Sequence, residues 1–570
     1  MAAPSASDGY YDLGRYRRSI TTNNPDAELW FNRGLIWSYG FNHEEAVKCF
    51  ERAIAADSGC AMAYWGVAYA LGPNYNKPWS FFDDEELETT VQRTHCMVEQ
   101  AGKCCAAAAG AATPLEKALV DALRYRYPRD HASDKDERSI WNVEYADAMQ
   151  RVHAEFGDDL DVAALCADAL MNLSPWKLWD LKTGEPAQGA RTKEVQAILE
   201  RALHQTPGGM DHPGVLHLYI HFIEMSPSPE LGLPAADALR NLVPDSGHLN
   251  HMPTHIDVLV GDYARGIASN RAAFEADEKF LARAGALNFY TLYRMHDYHF
   301  CIYSALFAGQ SRVALETVTR MESSLSADLL KVRSPPMADW LEGFFAMRVH
   351  ALVRFGRWDD LIALPLPEDR DLFCTTTAMT HYAKAVALAA KSRLPEAEAE
   401  RTRFLEAKSR VPESRTLFNN QCTDLLAIAE AMMEGEVAFR RGGGRHEEEA
   451  YAHLRTAVAR DDNLPYDEPW GWMQPTRHAY GALLMERAHY AEAAAVYAED
   501  LGLDGRLPRA LQHPGNVWAL HGYHECLVKL GRKAEADALE PALKKALERA
   551  DVPIKSSCFC RRVEVVQSAL

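Results

Sequence analysis

The sequence predicts an all-α protein, a tetratricopeptide-repeat α-solenoid of antiparallel helix pairs curled into a superhelix. Three observations predict it. A 34-residue repeat stands near the start, apolar residues recur at helical spacing through most of the chain, and no convincing run of alternating strands appears.

The repeat is clearest from Asp26, where the chain reads AELWFNRGLIWSYGFNHEEAVKCFERAIAADSGCAMAYWGVAYA. Trp30, Gly34, Trp37, Ala46, Phe50 and Ala53 fall where such a repeat needs its large and small packing residues, and Tyr64 and Ala68 restate Trp30 and Gly34 after 34 residues. Small residues let paired helices approach, and large ones fill the hole opposite. The template recurs more weakly with Ala314, Ala397, Ala493 and Ala534 at the position of Ala46. Residues 1–25 read as an N-terminal extension, 26–439 as solenoid with histidine-rich repeats at 212–300, and 440–449 (RRGGGRHEEE) as a flexible linker. Residues 450–550 read as further repeats and 551–570 as a loose tail. Turn-rich, aromatic loops at 72–80, 174–184 and 467–477 interrupt the pattern, and Trp79, Trp176 and Trp472 in them read first as packing residues.

At 570 residues the chain is long enough for a solenoid that grows by repetition. Its composition, 48% hydrophobic and 25% charged with mean hydropathy −0.29, is that of a soluble protein. A net charge of −19 argues against a nucleic-acid partner, which needs a basic face. MAAPSASDGYYDLGRYRRS holds no apolar core of signal-peptide length, and no apolar run approaches a membrane span, so no membrane partner is expected. Twelve scattered cysteines, Cys104–Cys105 and Cys558–Cys560 included, give neither zinc spacing nor a disulfide framework, so a cytoplasmic location is expected.

Histidines carry the functional signal. Eight of 22 lie between His212 and His299, where an even spread puts between three and four. His217 and His221 stand four apart with Glu224 three further on; His248, His251 and His255 follow at steps of three and four; His296 and His299 stand three apart. Residues so spaced share a helix face. Aligning Gly266 with Ala46 puts His248, His251 and His255 at the second, fifth and ninth positions of a first helix, the positions that line a concave surface. Aligning Ala314 and Ala236 in the same way turns His296, His299 and His221 inward, with His217 and Glu224 within one residue of such positions.

That convergence suits a metal, whose ligands must meet within about 2.0–2.2 Å of one ion. Imidazoles with one carboxylate and no thiolate favour copper or iron, with zinc as the alternative, and are enough for one or two ions. No glutamate follows His217 or His251 directly, which excludes a zinc-protease HExxH motif. Asp257 and Asp297 beside the clusters are candidates to orient imidazoles. A second group, Asn74, Asn76, Trp79, Trp176, Gln474, Arg477 and His478, is a candidate substrate contact, with Arg477 as an anion clamp.

HPGVLHLYIHFIEMSPSPELGLPAADALRNLVPDSGHLNHMPTHI, followed by MHDYHF, resembles a large family of tetratricopeptide-repeat proteins found widely in bacteria and some eukaryotes. Its members share an HxxxHxxE helix, a GHxxHMPxHI segment and an HNxHF-like segment, often with a GPNxNxP loop, here GPNYNKPW; the C-terminal QPTRHAYGALL is also similar. The resemblance covers roughly residues 26–532 and implies that His217, His221, Glu224, His248, His251, His255, His296 and His299 occupy family positions. The chain departs at Asp297, where asparagine is common, and at Asp257, where an aromatic or aliphatic residue is usual.

The histidines therefore predict a metal-dependent oxidoreductase in specialised metabolism, acting on a small organic substrate in the groove. Glu224 and Arg477 are its expected catalytic groups. A zinc or dinuclear metal hydrolase and a non-catalytic interaction scaffold for a protein partner are the alternatives. Exposed solenoid faces also admit a homodimer.

Overall fold

The structure, a computed structural model, describes residues 9–107, 112–132 and 134–562. Consecutive antiparallel helix pairs make an all-α solenoid, and among the described residues the only strands are the two-residue pair Thr416–Leu417 and Asn420–Gln421. The chain forms two compact units, Met1–Ile256 with Arg271–Asp297, and Asp257–Asn270 with Tyr298–Leu570.

The first unit opens on the helices Pro25–Tyr39 and His43–Ala56. Asn42 caps the second, its side chain accepting the Glu45 N–H at 3.3 Å. Phe50 on this helix is fully buried between two glycines: a Cβ at Gly34 would lie 2.7 Å from its ring, and one at Gly66 2.5 Å. This is the large-into-small packing that the repeat predicts, with Gly66 rather than Ala68 as the third member. Gly34→Ala is expected to cost about 1–3 kcal/mol through overpacking, measured by denaturant unfolding; an unchanged midpoint would show that Phe50 yields freely.

The second unit repeats the device. Tyr497, on the helix Tyr490–Asp500, sits between Gly481 and Gly522, where added Cβ atoms would each lie 2.5 Å from its ring. Ala314, Ala397 and Ala493 are buried as the template requires. Ala534 is exposed instead, and Ala536 takes the buried position of the helix Lys533–Arg549.

Three sequence expectations differ from the structure. Residues 440–449 are helical except at Gly442 and Gly443, because the helix Cys422–Arg441 runs up to the glycines and Gly444–Asp462 starts just after them. In place of a loose tail, Ser556, Ser557, Cys558 and Cys560 are buried, the Ser557 hydroxyl donating to the His478 carbonyl at 2.7 Å. Cys558 and Cys560 are joined by a disulfide. Residues 1–8 and 563–570 of the expected extension and tail lie outside the described residues. No described helix is long and apolar enough to cross a membrane.

Candidate metal centre

The helix Pro213–Ile223 starts at His212, whose Nδ1 accepts the Val215 N–H (3.1 Å) while its Nε2 meets Asp161 (3.1 Å). Pro213 supplies the first helical residue without wasting a donor. One turn of this helix separates His217 from His221, and Glu224 stands at its C-terminal end.

His248, His251 and His255 come from the short helix Gly247–His251 and its continuation Pro253–Leu259. Gly247 has to be glycine, because a Cβ there would fall 1.9 Å from Asp277 Oδ1. The Tyr290 hydroxyl accepts the His248 N–H (3.1 Å) and donates to Asp277 (3.0 Å). His296 comes from the helix Tyr290–Phe307.

These side chains converge in the first unit. Donor atoms of His217, His221 and His248 lie within 4.8 Å of one another, as do those of His251, His255 and His296, and those of His248, His251 and Asp297. Ring centroids are 4.9 Å apart for His217–His221 and for His217–His248, 4.8 Å for His251–His255 and 4.4 Å for His251–His296. None of the six histidines is more than 6% exposed. Burial pushes His217 down to about 4 and His221, His248 and His255 well below the ordinary histidine value, and neighbouring imidazoles push the last three further. Those four are neutral at pH 7, the form that binds metals.

Most rings are held from behind. The His217 Nδ1–H donates to the Tyr39 carbonyl at 2.6 Å. Glu224 takes one imidazole on each oxygen, His221 Nδ1 on Oε1 at 2.8 Å and His255 Nδ1 on Oε2. His251 Nδ1 lies 3.4 Å from Asp297 Oδ1. The bonds to Tyr39 and Glu224 fix the tautomers of His217, His221 and His255 and turn their Nε2 atoms inward, while the Asp297 approach to His251 is not a hydrogen bond. Glu224, expected as a ligand and catalytic base, thus has both oxygens on ring N–H groups.

Aromatic rings that the spacing of the histidines did not announce wall the cluster. Phe41, in the left-handed region at φ 55°, packs 4.4 Å from His217 and 5.7 Å from His248. Tyr75 of the GPNYNKPW loop lies 5.1 Å from His221, and Tyr293 lies 4.7 Å from His248. Tyr293 stands three residues before His296 on one helix, so its placement was legible; Phe41 sits in a turn with no periodic signal. Phe41 also lines a neighbouring cavity of about 300 Å³, bordered by His43, Glu44, Asn74 and Lys77.

The remaining candidates scatter. The Asn76 N–H donates to Asn74 Oδ1 (2.9 Å), Trp79 packs on Phe82 (5.0 Å), and Trp176 packs on Tyr75 (5.5 Å). Arg477, His478, Asp257 and His299 belong to the second unit. Arg477 spans Asp462 (2.5 Å) and Glu499 (3.3 Å), and His478 lies between Asp500 (2.9 Å) and Arg354 (2.8 Å). Asp257 faces Arg265 at 3.7 Å rather than orienting an imidazole of the cluster.

His299 packs on Phe344 (5.5 Å) and, like His350 behind Trp472 (4.8 Å), is pushed down to about 3 by burial. An unfolded histidine titrates near 6.5. As pH falls, the unfolded chain therefore takes up His350's proton first, and stability is lost from about 6.5 down to about 3. Relative to a His350→Phe variant, the wild type is expected to lose about 2 kcal/mol between pH 7 and pH 5, read from denaturant unfolding at both values. Asp461 and Glu436, each raised to about 7 by burial, act in the opposite direction in both proteins and cancel in the comparison. Parallel pH dependences would show that His350 titrates normally.

No protein family and no curated protein matches the sequence. Among solved structures the chain is similar to Ypp1 (8% identity, TM-score 0.41, covering 94% of this chain and 89% of that one). It is also similar to yeast Tom70 (12%, 0.25, covering 92% of each) and to the APC/C hetero-tetramer Cut9–Hcn1 (12%, 0.22, covering 91% and 96%).

The local chemistry corrects the expected copper or iron oxidoreductase of specialised metabolism: the expected base is committed to two imidazoles, and the expected anion clamp to two carboxylates. Buried histidine clusters compatible in geometry with a metal site remain.

Proposed function

We propose that the protein is a non-catalytic helical-repeat scaffold that holds a protein partner, with a divalent transition-metal ion in its histidine interior as a structural component. The observation that carries this reading is the sealing of the donor cluster. Its six histidines are buried behind Phe41, Tyr75 and Tyr293, so the centre serves the fold and the outer repeat surface serves recognition. An all-imidazole set with carboxylates behind it suits an ion of the zinc class over magnesium or calcium. The resemblance to the histidine-bearing tetratricopeptide-repeat family supports the same reading, since seven of its eight shared positions belong to this interior: His217, His221, Glu224, His248, His251, His255 and His296.

The test is reconstitution. Proteins cross-linked to the chain in its native cells are identified, purified and mixed with it at micromolar concentration. Co-elution of one of them at fixed stoichiometry in size-exclusion chromatography with light scattering is expected. If the chain elutes at its own mass, or only as a dimer of itself, with every candidate, the scaffold reading fails.

A further inference from the structure

We propose that the histidine interior binds two transition-metal ions side by side. One ion sits in the triad His217, His221 and His248, the other in the triad His251, His255 and His296, and Glu224 orients one histidine of each. The proposal rests on the reading of the interior as a metal centre and goes beyond it in number, partition and the role of Glu224.

The donors gather in two groups of three imidazoles that share no residue. Each triad brings its ring nitrogens within 4.8 Å, the separation at which three side chains can close on one ion. The triads adjoin, with His221 and His255 rings 5.4 Å apart and His248 and His251 rings 5.7 Å apart, so two ions would lie side by side. In the second triad the nitrogens already meet, with His255 Nε2 2.8 Å from His251 Nε2 and 3.4 Å from His296 Nε2. Ligands on a tetrahedral ion with bonds of about 2.0–2.1 Å are separated by about 3.3–3.4 Å. A single N–H···N bond between His251 and His255 accounts for one of these approaches and not for the third ring.

The first triad gives the independent observation. His217 Nε2 and both nitrogens of His248 are buried and have no hydrogen-bond partner. Leaving a buried polar atom unsatisfied costs about 1–3 kcal/mol, and here at least three such atoms share one pocket. His217 is held by Nδ1 on the Tyr39 carbonyl, which leaves its Nε2 for an ion, and His221 is oriented by Nδ1 on Glu224. A bound ion takes up the lone pairs of His217 Nε2 and of one His248 nitrogen; apolar packing does not.

Glu224 ties the triads together. One carboxylate holds His221 of the first and His255 of the second by their Nδ1 atoms. That places a carboxylate beside both triads. Carboxylates behind histidine ligands raise their basicity and fix their tautomer.

The experiment uses the full chain without a histidine tag, stripped by chelator and reloaded with Zn2+ alone, and reads stoichiometry by mass spectrometry of the elements. Two equivalents are expected in the wild type. His217→Gln and His296→Gln are each expected to retain one, with unfolding temperatures between those of the stripped and fully loaded wild type. One equivalent in the wild type overturns the proposal: abolished by either substitution, it means one ion shared by both triads, and retained in both variants, it points to the group His248, His251 and Asp297. No retained zinc overturns it as well and leaves the partner-binding scaffold standing. Failure to find a partner, with two zinc ions bound, does the reverse. The wild-type count decides even where a variant does not fold.

Discussion

Glu224→Ala is expected to destabilise the protein by about 2–6 kcal/mol, the cost of leaving two buried imidazole N–H groups without acceptors at about 1–3 kcal/mol each. The carboxylate is 1% exposed, so water does not replace it cheaply. Metal affinity should fall by about 10–100-fold in the same variant, because His221 and His255 lose the contact that fixes their tautomers. Denaturant unfolding of the stripped protein reads the first effect and zinc competition against a chelating dye the second. Glu224→Gln separates them further. A glutamine carbonyl accepts one ring N–H, while its amide presents a donor to the other ring and forces that histidine into the opposite tautomer. The glutamine variant should therefore keep roughly half of the stability lost in the alanine variant. An alanine variant that unfolds at the wild-type midpoint would show that the two rings find other acceptors.

Phe50→Ala should cost about 3–5 kcal/mol. The ring is fully buried and touches both Gly34 and Gly66, so its removal leaves a hole bounded by backbone that cannot close without moving two helices. The glycines also supply an internal control. A methyl group at Gly34 points into the space that the ring vacates, so Gly34→Ala, destabilising in the wild type, should be neutral or favourable in the Phe50→Ala background. The double-mutant cycle measures that coupling directly. Additive effects would mean that the first pair relaxes around either change and that its packing is looser than the distances imply.

Much of this was legible in the chain. The spacing of Trp30, Gly34, Ala46 and Phe50 predicts a helix pair because helix packing is local, and the paired helices Pro25–Tyr39 and His43–Ala56 follow. The steps of three and four among His217, His221, His248, His251 and His255 predict shared faces for the same reason, and those rings do meet. His296 and His299 show where the rule ends. They stand three residues apart on one helix, yet His296 joins the cluster and His299 packs on Phe344 in the other unit. A step of three turns a side chain by about 300°, close to one face but not onto it, and the neighbours on each side then decide.

By itself, then, the sequence determined the helical-repeat fold and the helix faces that histidines three or four apart share, because both depend on residues within a few turns of one another. Tertiary structure alone decided the rest. The convergence of the six imidazoles, the sealing of the centre by Phe41 and Tyr75, and the use of Glu224 as a shared acceptor join residues tens to hundreds of positions apart, such as Tyr39 with His217 and Glu224 with His255. A helical period fixes the direction in which a side chain leaves its own helix. It carries no information on which other helix stands there to meet it.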